Sequence, residues 1–193
     1  MAFKRQAMEV KIDNIIDMAI TFTAMIRVFE KNSKPKISKL LKDVFLSLSE
    51  IKTKDDYEKM HAKFCNDFSR SIKTAEKNLK NGICKEGKSA SFGHAAKVLD
   101  IAIKVYVYYG SLPDATTSER ITPFLKAAID NPILKELKKK NPNKKISATN
   151  IESIDCSQYE ELQKLINQDI QTVFQGSIYP VQYDDIVWNK LNR

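Results

Sequence analysis

Glycine and proline are scarce: the 193 residues hold 5 glycines and 6 prolines. That is too few for the many tight turns of a sandwich or barrel, and it favours helices. Cysteine is scarcer still. Cys65, Cys84 and Cys156 are odd in number and far apart, with no C-x-x-C spacing and only His61 and His94 to join them. This argues against a disulfide framework and against a structural zinc site, and free thiols suit a reducing, intracellular setting, so a cytoplasmic protein is expected. No apolar run approaches the length that spans a bilayer, so no membrane partner is expected. Lys4 and Arg5 precede Glu9, Asp13 and Asp17, which interrupt any signal-peptide core. There are no repeats and no low-complexity tract, and no cofactor is expected.

What is present is charge and helical periodicity. Charged residues make up 29% and hydrophobic ones 42%, with a net charge of +8 and a pI near 9.2. The length fits one domain, residues 1–193. The excess of lysine suits a polyanion such as nucleic acid, or an anionic membrane surface, while a basic protein without such a partner remains the alternative. Apolar residues recur in steps of four and three at Met8, Ile12, Ile15, Ala19, Phe22, Ile26 and Phe29, predicting a long first helix. Ile16, Ile20 and Val28 broaden its stripe towards a core helix; a coiled-coil seam, and with it a homodimer, stays open. Asn32-Ser33-Lys34-Pro35 breaks it. Further helices are expected from about Ser38 to Ser49, then from a Thr53 or Asp55 cap through Ile72, Ala75 and Leu79 to Asn81-Gly82. Ser91 is expected to cap a helix from Phe92 to about Tyr109, and short helices follow over 121–128 and 132–140. A last long helix, with Ser157 as its cap, runs to Phe174 and ends at Gly176. Pro113 to Glu119 reads as a loop, and residues 176–193, with Trp188, as a tail docked on the body. The fold class is all-α, a single-domain helical bundle.

Gly82 to Ser89, GICKEGKS, fits the phosphate-loop pattern G-x-x-x-x-G-K-[ST]. A phosphate loop needs a buried strand before it and a helix directly after. Here Ser71 to Lys80 has no β-type run, and the next helix waits for Ser91. The stretch therefore reads as a helix stop and linker.

The following helix is unusual. From Ala95 to Tyr109 every residue is apolar or aromatic except Lys97, Asp100 and Lys104, which share one stripe at i, i+3 and i+7. A helix apolar almost all round belongs in the middle of a bundle. Two readings of the stripe stay open. The lysines reach water with Asp100 pairing them, or Lys97 lines a cleft where desolvation makes its amine a nucleophile able to form a Schiff base. Asp130-Asn131-Pro132 is a helix start in which Asp130 serves as N-cap; its second oxygen is free to face a cleft. Lys135, Lys138, Lys139, Lys140, Lys144 and Lys145 form a basic run suited to phosphates, or a solvated helix end.

The order of helix, glycine-containing turn, helix with an early lysine, and capping aspartate resembles the helix-hairpin-helix DNA glycosylase/lyase superfamily, in its archaeal 8-oxoguanine glycosylase branch. The matching residues are Ser91-Phe92-Gly93-His94-Ala95-Ala96-Lys97 and Ala128-Ile129-Asp130, within about Gly82 to Leu137. The Leu-Pro-Gly-x-Gly hairpin is missing, and Asn131-Pro132 follows Asp130. The resemblance implies a helix-hairpin-helix-like middle and a DNA-repair enzyme that flips a damaged base out of the duplex. Lys97 would attack the sugar C1′ and form a Schiff base, and Asp130 would stabilise the oxocarbenium charge or assist proton transfer. The turn with Gly93 and His94 would bind a DNA phosphate through backbone N–H groups. Lys104, Lys138, Lys139 and Lys140 are the further DNA-binding candidates. A non-catalytic basic helical protein that binds nucleic acid or a protein partner is the alternative.

Overall fold

The computed structural model describes residues 2–22, 27–78, 84–85 and 87–191. The fold is all-α. Its helices are α1 (Ala2–Phe22), α2 (Ser33–Ser47), α3 (Lys54–Ser71), α4 (Phe92–Ile103), α5 (Ala115–Ile121), α6 (Asn131–Lys140), α7 (Cys156–Val173) and α8 (Pro180–Leu191). One antiparallel ribbon, β1 (Lys77–Asn78) with β2 (Cys84–Lys85), joins α3 to α4.

α4 sits in the middle, against α1, α2, α3 and α7. Its composition explains the position: Ala95, Ala96, Val98, Leu99, Ala102 and Ile103 are all buried. With no polar face to offer water, the helix is stable only when surrounded. Its start is fixed locally. The Ser91 hydroxyl accepts the His94 N–H at 3.2 Å, and His94 Nδ1 accepts the Ser91 N–H at 3.3 Å. That is a capping box with histidine in the place usually held by Glu or Gln. From Lys104 to Tyr109 the helix widens into a π turn, a form that recurs at functional sites.

Several expected boundaries move. α2 starts at Ser33, after Asn32 in the left-handed conformation (φ 67°). Pro35 falls in its first turn, where a missing N–H costs nothing. Thr53, not Asp55, caps α3, with Asp56 completing the box. α3 stops at Ser71 because the next residues find partners elsewhere: Thr74 N–H bonds Lys88 O at 2.7 Å and Ala75 N–H bonds Val28 O at 2.7 Å. Phe29, expected at the end of the first helix, pairs with Thr74 as extended chain. Ile26, Leu79 and the Asn81-Gly82 stop lie outside the described residues. The expected loop at 113–119 contains α5, capped by Asp114 through the Thr117 N–H at 2.9 Å. The expected helix over 121–128 shrinks to a 3-10 turn at Thr122–Phe124. Beyond it the Gln163 side chain takes both backbone groups of Ala127, at 2.8 and 3.3 Å, in place of a helical ladder. Asp155 rather than Ser157 caps α7. Gly176, at φ 70°, ends it by donating to Ile170 O at 3.0 Å. α8 then packs on α6 and α7 with Val181, Tyr183 and Val187 buried.

The described part of the phosphate-loop look-alike, Cys84–Lys85 and residues 87–89, is the return arm of the ribbon. Gly82, Ile83 and Glu86 lie outside the described residues. Lys88 and Ser89 pair with Thr74 and Lys73. Gly87 lies so close to Thr74 that a Cβ there would sit 2.0 Å from its carbonyl oxygen. The glycine therefore serves backbone approach within the ribbon.

Candidate functional site

A cavity of ≈ 590 Å³ opens between α4 with its π turn, the start of α6, α8 and Met18 of α1. Ile101, Val105, Ala128 and Ile133 supply apolar wall, and Trp188, half exposed, adds an aromatic one. Lys97, Lys104, Tyr109, Asp130, Asp184 and Asp185 supply the polar groups. Apolar walls with a few converging polar groups are the usual make-up of a small-molecule site.

Lys97 and Asp130, 33 positions apart, thus line one cavity. Lys97 is half-buried on the second turn of α4 and has no hydrogen bond among the described residues. Burial lowers its pKa, and the nearby Asp130 charge opposes that shift. Asp130 caps α6 through Oδ1, which accepts the Ile133 N–H at 2.9 Å. The extended chain held by Gln163 delivers it to the cavity.

Lys104 does something else. It is 7% exposed. Its ammonium donates to Asp184 Oδ2 at 2.7 Å and to Asp185 Oδ1 at 2.5 Å. Tyr109 OH donates to the other oxygen of Asp185. Lys104 therefore fastens α8 to the π turn and is not available to a DNA phosphate, correcting the expectation for this residue. Asp184 itself is buried, and its Oδ1 has no hydrogen-bond partner among the described residues. Burial raises its pKa to about 7, with Asp185 and Asp100 adding to the rise and Lys104 opposing it.

Asp100 does not pair with the lysines of its stripe. It bonds His61 Nε2 at 3.0 Å and accepts from Tyr159 OH at 2.6 Å, in a buried network that Cys65 borders. Burial, with the Asp100 charge second, pushes the Tyr159 pKa well up. Among the described residues, no group of three His, Cys, Asp or Glu side chains is placed to hold a metal ion.

The expected phosphate turn is also corrected. Gly93 N–H is used by Ile154 O at 3.0 Å, and His94 N–H by the Ser91 hydroxyl. His94 is buried edge-on to Phe29, with ring centroids 5.9 Å apart. Both backbone N–H groups of the turn are thus used within the protein. Of the basic run, Lys140 is tied to Asp169 at 2.5 Å and lies over the Tyr183 ring. Lys135, Lys139, Lys144 and Lys145 are exposed and Lys138 is half-buried.

Sequence reasoning missed Asp184, Asp185, Tyr109 and Met18. One signal was present: Asp184 and Trp188 stand four apart in a helical tail, hence on one face. No protein-family model matches the chain, no curated protein is similar to it, and no solved structure matches it. The resemblance to the helix-hairpin-helix glycosylases rests on the residues quoted for it alone.

Proposed function

We propose that this chain is a Schiff-base enzyme in which Lys97 attacks a carbonyl carbon, and that its substrate is DNA carrying an abasic or damaged nucleotide. The observation that carries this reading is the placing of Lys97 and Asp130 on one apolar-walled cavity. An amine whose pKa is lowered by burial is unprotonated more of the time, and only the free amine is a nucleophile. The opened sugar of an abasic site offers the aldehyde such an amine attacks. Asp130 faces the same space with a carboxyl group suited to a developing oxocarbenium or iminium charge. The sugar and base enter the cavity and the backbone stays outside, because phosphates would meet three carboxyl groups within. The net charge of +8 and the exposed lysines of α6 and the loop after it supply the contacts for that backbone.

The second reading is a basic helical protein that binds nucleic acid without chemistry. The occupied N–H groups at Gly93 and His94 favour it, since they remove the phosphate contact that the glycosylase resemblance implied.

Borohydride trapping separates the two. Wild-type protein is incubated with a duplex containing one abasic site, and separately with benzaldehyde, in the presence of cyanoborohydride. The adduct is then located by peptide mass. Reduction at Lys97, lost in Lys97→Ala, is the expected result. Adducts spread over the surface lysines, and equal in wild type and variant, end the enzyme reading.

A further inference from the structure

We propose that Gln163 and Asn131 are positioning residues of the Lys97 site: their side-chain amides grip the chain on either side of Asp130 and hold its carboxyl group on the cavity wall that Lys97 shares. The proposal rests on the Lys97 reading above and adds what places the second group.

Lys97 and Asp130 stand on helices that are not main neighbours. α4 lies against α1, α2, α3, α7 and the 3-10 turn Ile151–Ser153, whereas α6 lies against α7 and α8. Asp130 is fixed to α6 by its own cap, through Oδ1 and the Ile133 N–H at 2.9 Å. Where its carboxyl group lies relative to α4 is therefore decided by what holds the start of α6. Two elements touch α4 and also reach that segment, α7 and the 3-10 turn, and each is joined to it by one side-chain amide. From α7, Gln163 Nε2 donates to Ala127 O at 2.8 Å, and Gln163 Oε1 accepts the Ala127 N–H at 3.3 Å. From the turn, Ile151 donates its N–H to Asn131 Oδ1 at 3.2 Å. The turn and the residue after it are bound in turn to the start of α4. The Ser91 hydroxyl donates to Ile151 O at 3.2 Å, and the Gly93 N–H to Ile154 O at 3.0 Å. Asp130 thus stands three residues after one grip and next to the other, and both lead back to the helix of Lys97.

The chemistry of the α7 grip is particular. Gln163 is 4% exposed and Ala127 is fully buried. In a buried stretch without a helical ladder, backbone groups must find partners elsewhere. One glutamine amide supplies a donor and an acceptor together. Asparagine is one methylene shorter, and an ionised glutamate lacks the donor. The consequence falls on Lys97. Burial lowers its pKa, and the Asp130 charge opposes that. The other charged and titratable groups of the cavity, Lys104, Tyr109, Asp184 and Asp185, are bonded among themselves. An Asp130 that leaves the wall withdraws the charge supporting the Lys97 ammonium ion, and the amine loses its proton more readily. It also withdraws the carboxyl group that faces the iminium charge of the proposed reaction.

The test is the titration of Lys97, read as its rate of acetylation by a trace of acetic anhydride from neutral to alkaline pH and located by peptide mass. Only the free amine reacts, so the rate follows deprotonation. Asp130→Asn should shift the midpoint down. Gln163→Met and Asn131→Ala should each shift it down by no more than that, and neither should shift it further when added to Asp130→Asn. Lys140→Ala frees the far end of α6 from Asp169 and should leave the midpoint at its wild-type value, which separates lost positioning from lost stability. Asn131 is exposed, so Asn131→Ala carries the test where Gln163→Met does not fold. Wild-type midpoints in the amide variants, beside a lowered one in Asp130→Asn, overturn the proposal. So does a shift that persists undiminished in the Asp130→Asn background. An Asp130→Asn midpoint equal to wild type overturns it as well, since Asp130 then does not act on the Lys97 amine. Failure of the enzyme reading shows separately, as the absence of a Lys97 adduct on abasic duplex with cyanoborohydride, and leaves the titration to decide the positioning.

Discussion

At the scale of single residues, the same chemistry reads differently by what surrounds it. Lys97 and Lys104 stand seven apart on one helix. Lys104 is held by two carboxylates and fixes structure, whereas Lys97 meets none closely and keeps a lowered pKa. Gly93 is the sharper case. As a member of a glycine turn it suggested an open backbone for a phosphate, but its missing side chain serves packing. A Cβ at this position would lie 2.4 Å from Ile151 O and 2.7 Å from Ile154 Cβ. Neither neighbour is the loose end of a flexible side chain, so the 3-10 turn at Ile151–Ser153 must shift. Gly93→Ala should therefore destabilise the fold by about 1–3 kcal/mol, the usual cost of overpacking. Urea denaturation measures this. DNA affinity, measured where the variant is fully folded, should be unchanged; a loss of affinity at full stability would return Gly93 to the binding surface.

At the scale of elements, what was legible is what local chemistry decides. Thr53, Ser91 and Asp130 cap their helices because a hydroxyl or carboxyl three residues before a backbone N–H needs no distant partner. α4 was legible as the central helix because it has almost no polar face. What was not legible depends on pairing across the chain. Ile72 and Ala75 keep helical spacing with α3, yet Ala75 is drawn into extended structure by Val28, far away in sequence. The cleft face of Lys97 and Asp130 could be inferred from spacing and capping. The clamp on α8 could not, since Lys104 and Asp184 are 80 residues apart. That clamp carries a prediction with a definite sign. The folded-state pKa of Asp184 lies above its ordinary 3.8, at about 7. Its contribution to stability is complete below pH 3.8 and is lost as pH rises through 7. Lys104 limits that loss. Lys104→Ala leaves Asp184 buried without its cation, so its pKa rises further and the loss with pH deepens. Relative to wild type, the variant should be little changed at pH 5 and less stable by about 1–1.5 kcal/mol at pH 8, because only the interval from the wild-type pKa to pH 8 adds to the loss. Denaturation at the two pH values tests it, and an equal cost at both would mean that Lys104 acts by packing alone.

At the scale of the whole molecule, the net charge of +8 is spread unevenly in what it can do. Some of the basic side chains are paired with carboxylates: Lys34 with Asp17, Lys42 with Asp13, Lys63 with Asp67 and Lys126 with Glu58. The end of α6 and the loop after it differ. Lys135, Lys139 and Lys145 are exposed without an acidic partner among the described residues, and Lys144 touches only the neutral Gln168. Lys140, in the same run, is bound to Asp169, which also accepts from Tyr183 OH at 2.6 Å, so it joins α6, α7 and α8. The run therefore divides into lysines free to meet phosphates and one that holds helices together. If DNA lies along this surface, its affinity should fall steeply between 50 and 200 mM salt, by about 0.9 in log–log slope for each phosphate neutralised. Replacing Lys139 and Lys145 together by alanine should flatten the slope by about 2 and leave the melting temperature unchanged. Lys140→Ala should do the reverse, lowering the melting temperature and leaving the slope almost intact. Fluorescence anisotropy with a duplex oligonucleotide across that salt range reads the slope. An unchanged slope in the double variant would place the backbone contacts on another face, because phosphates once neutralised by these lysines cannot keep the same count without them.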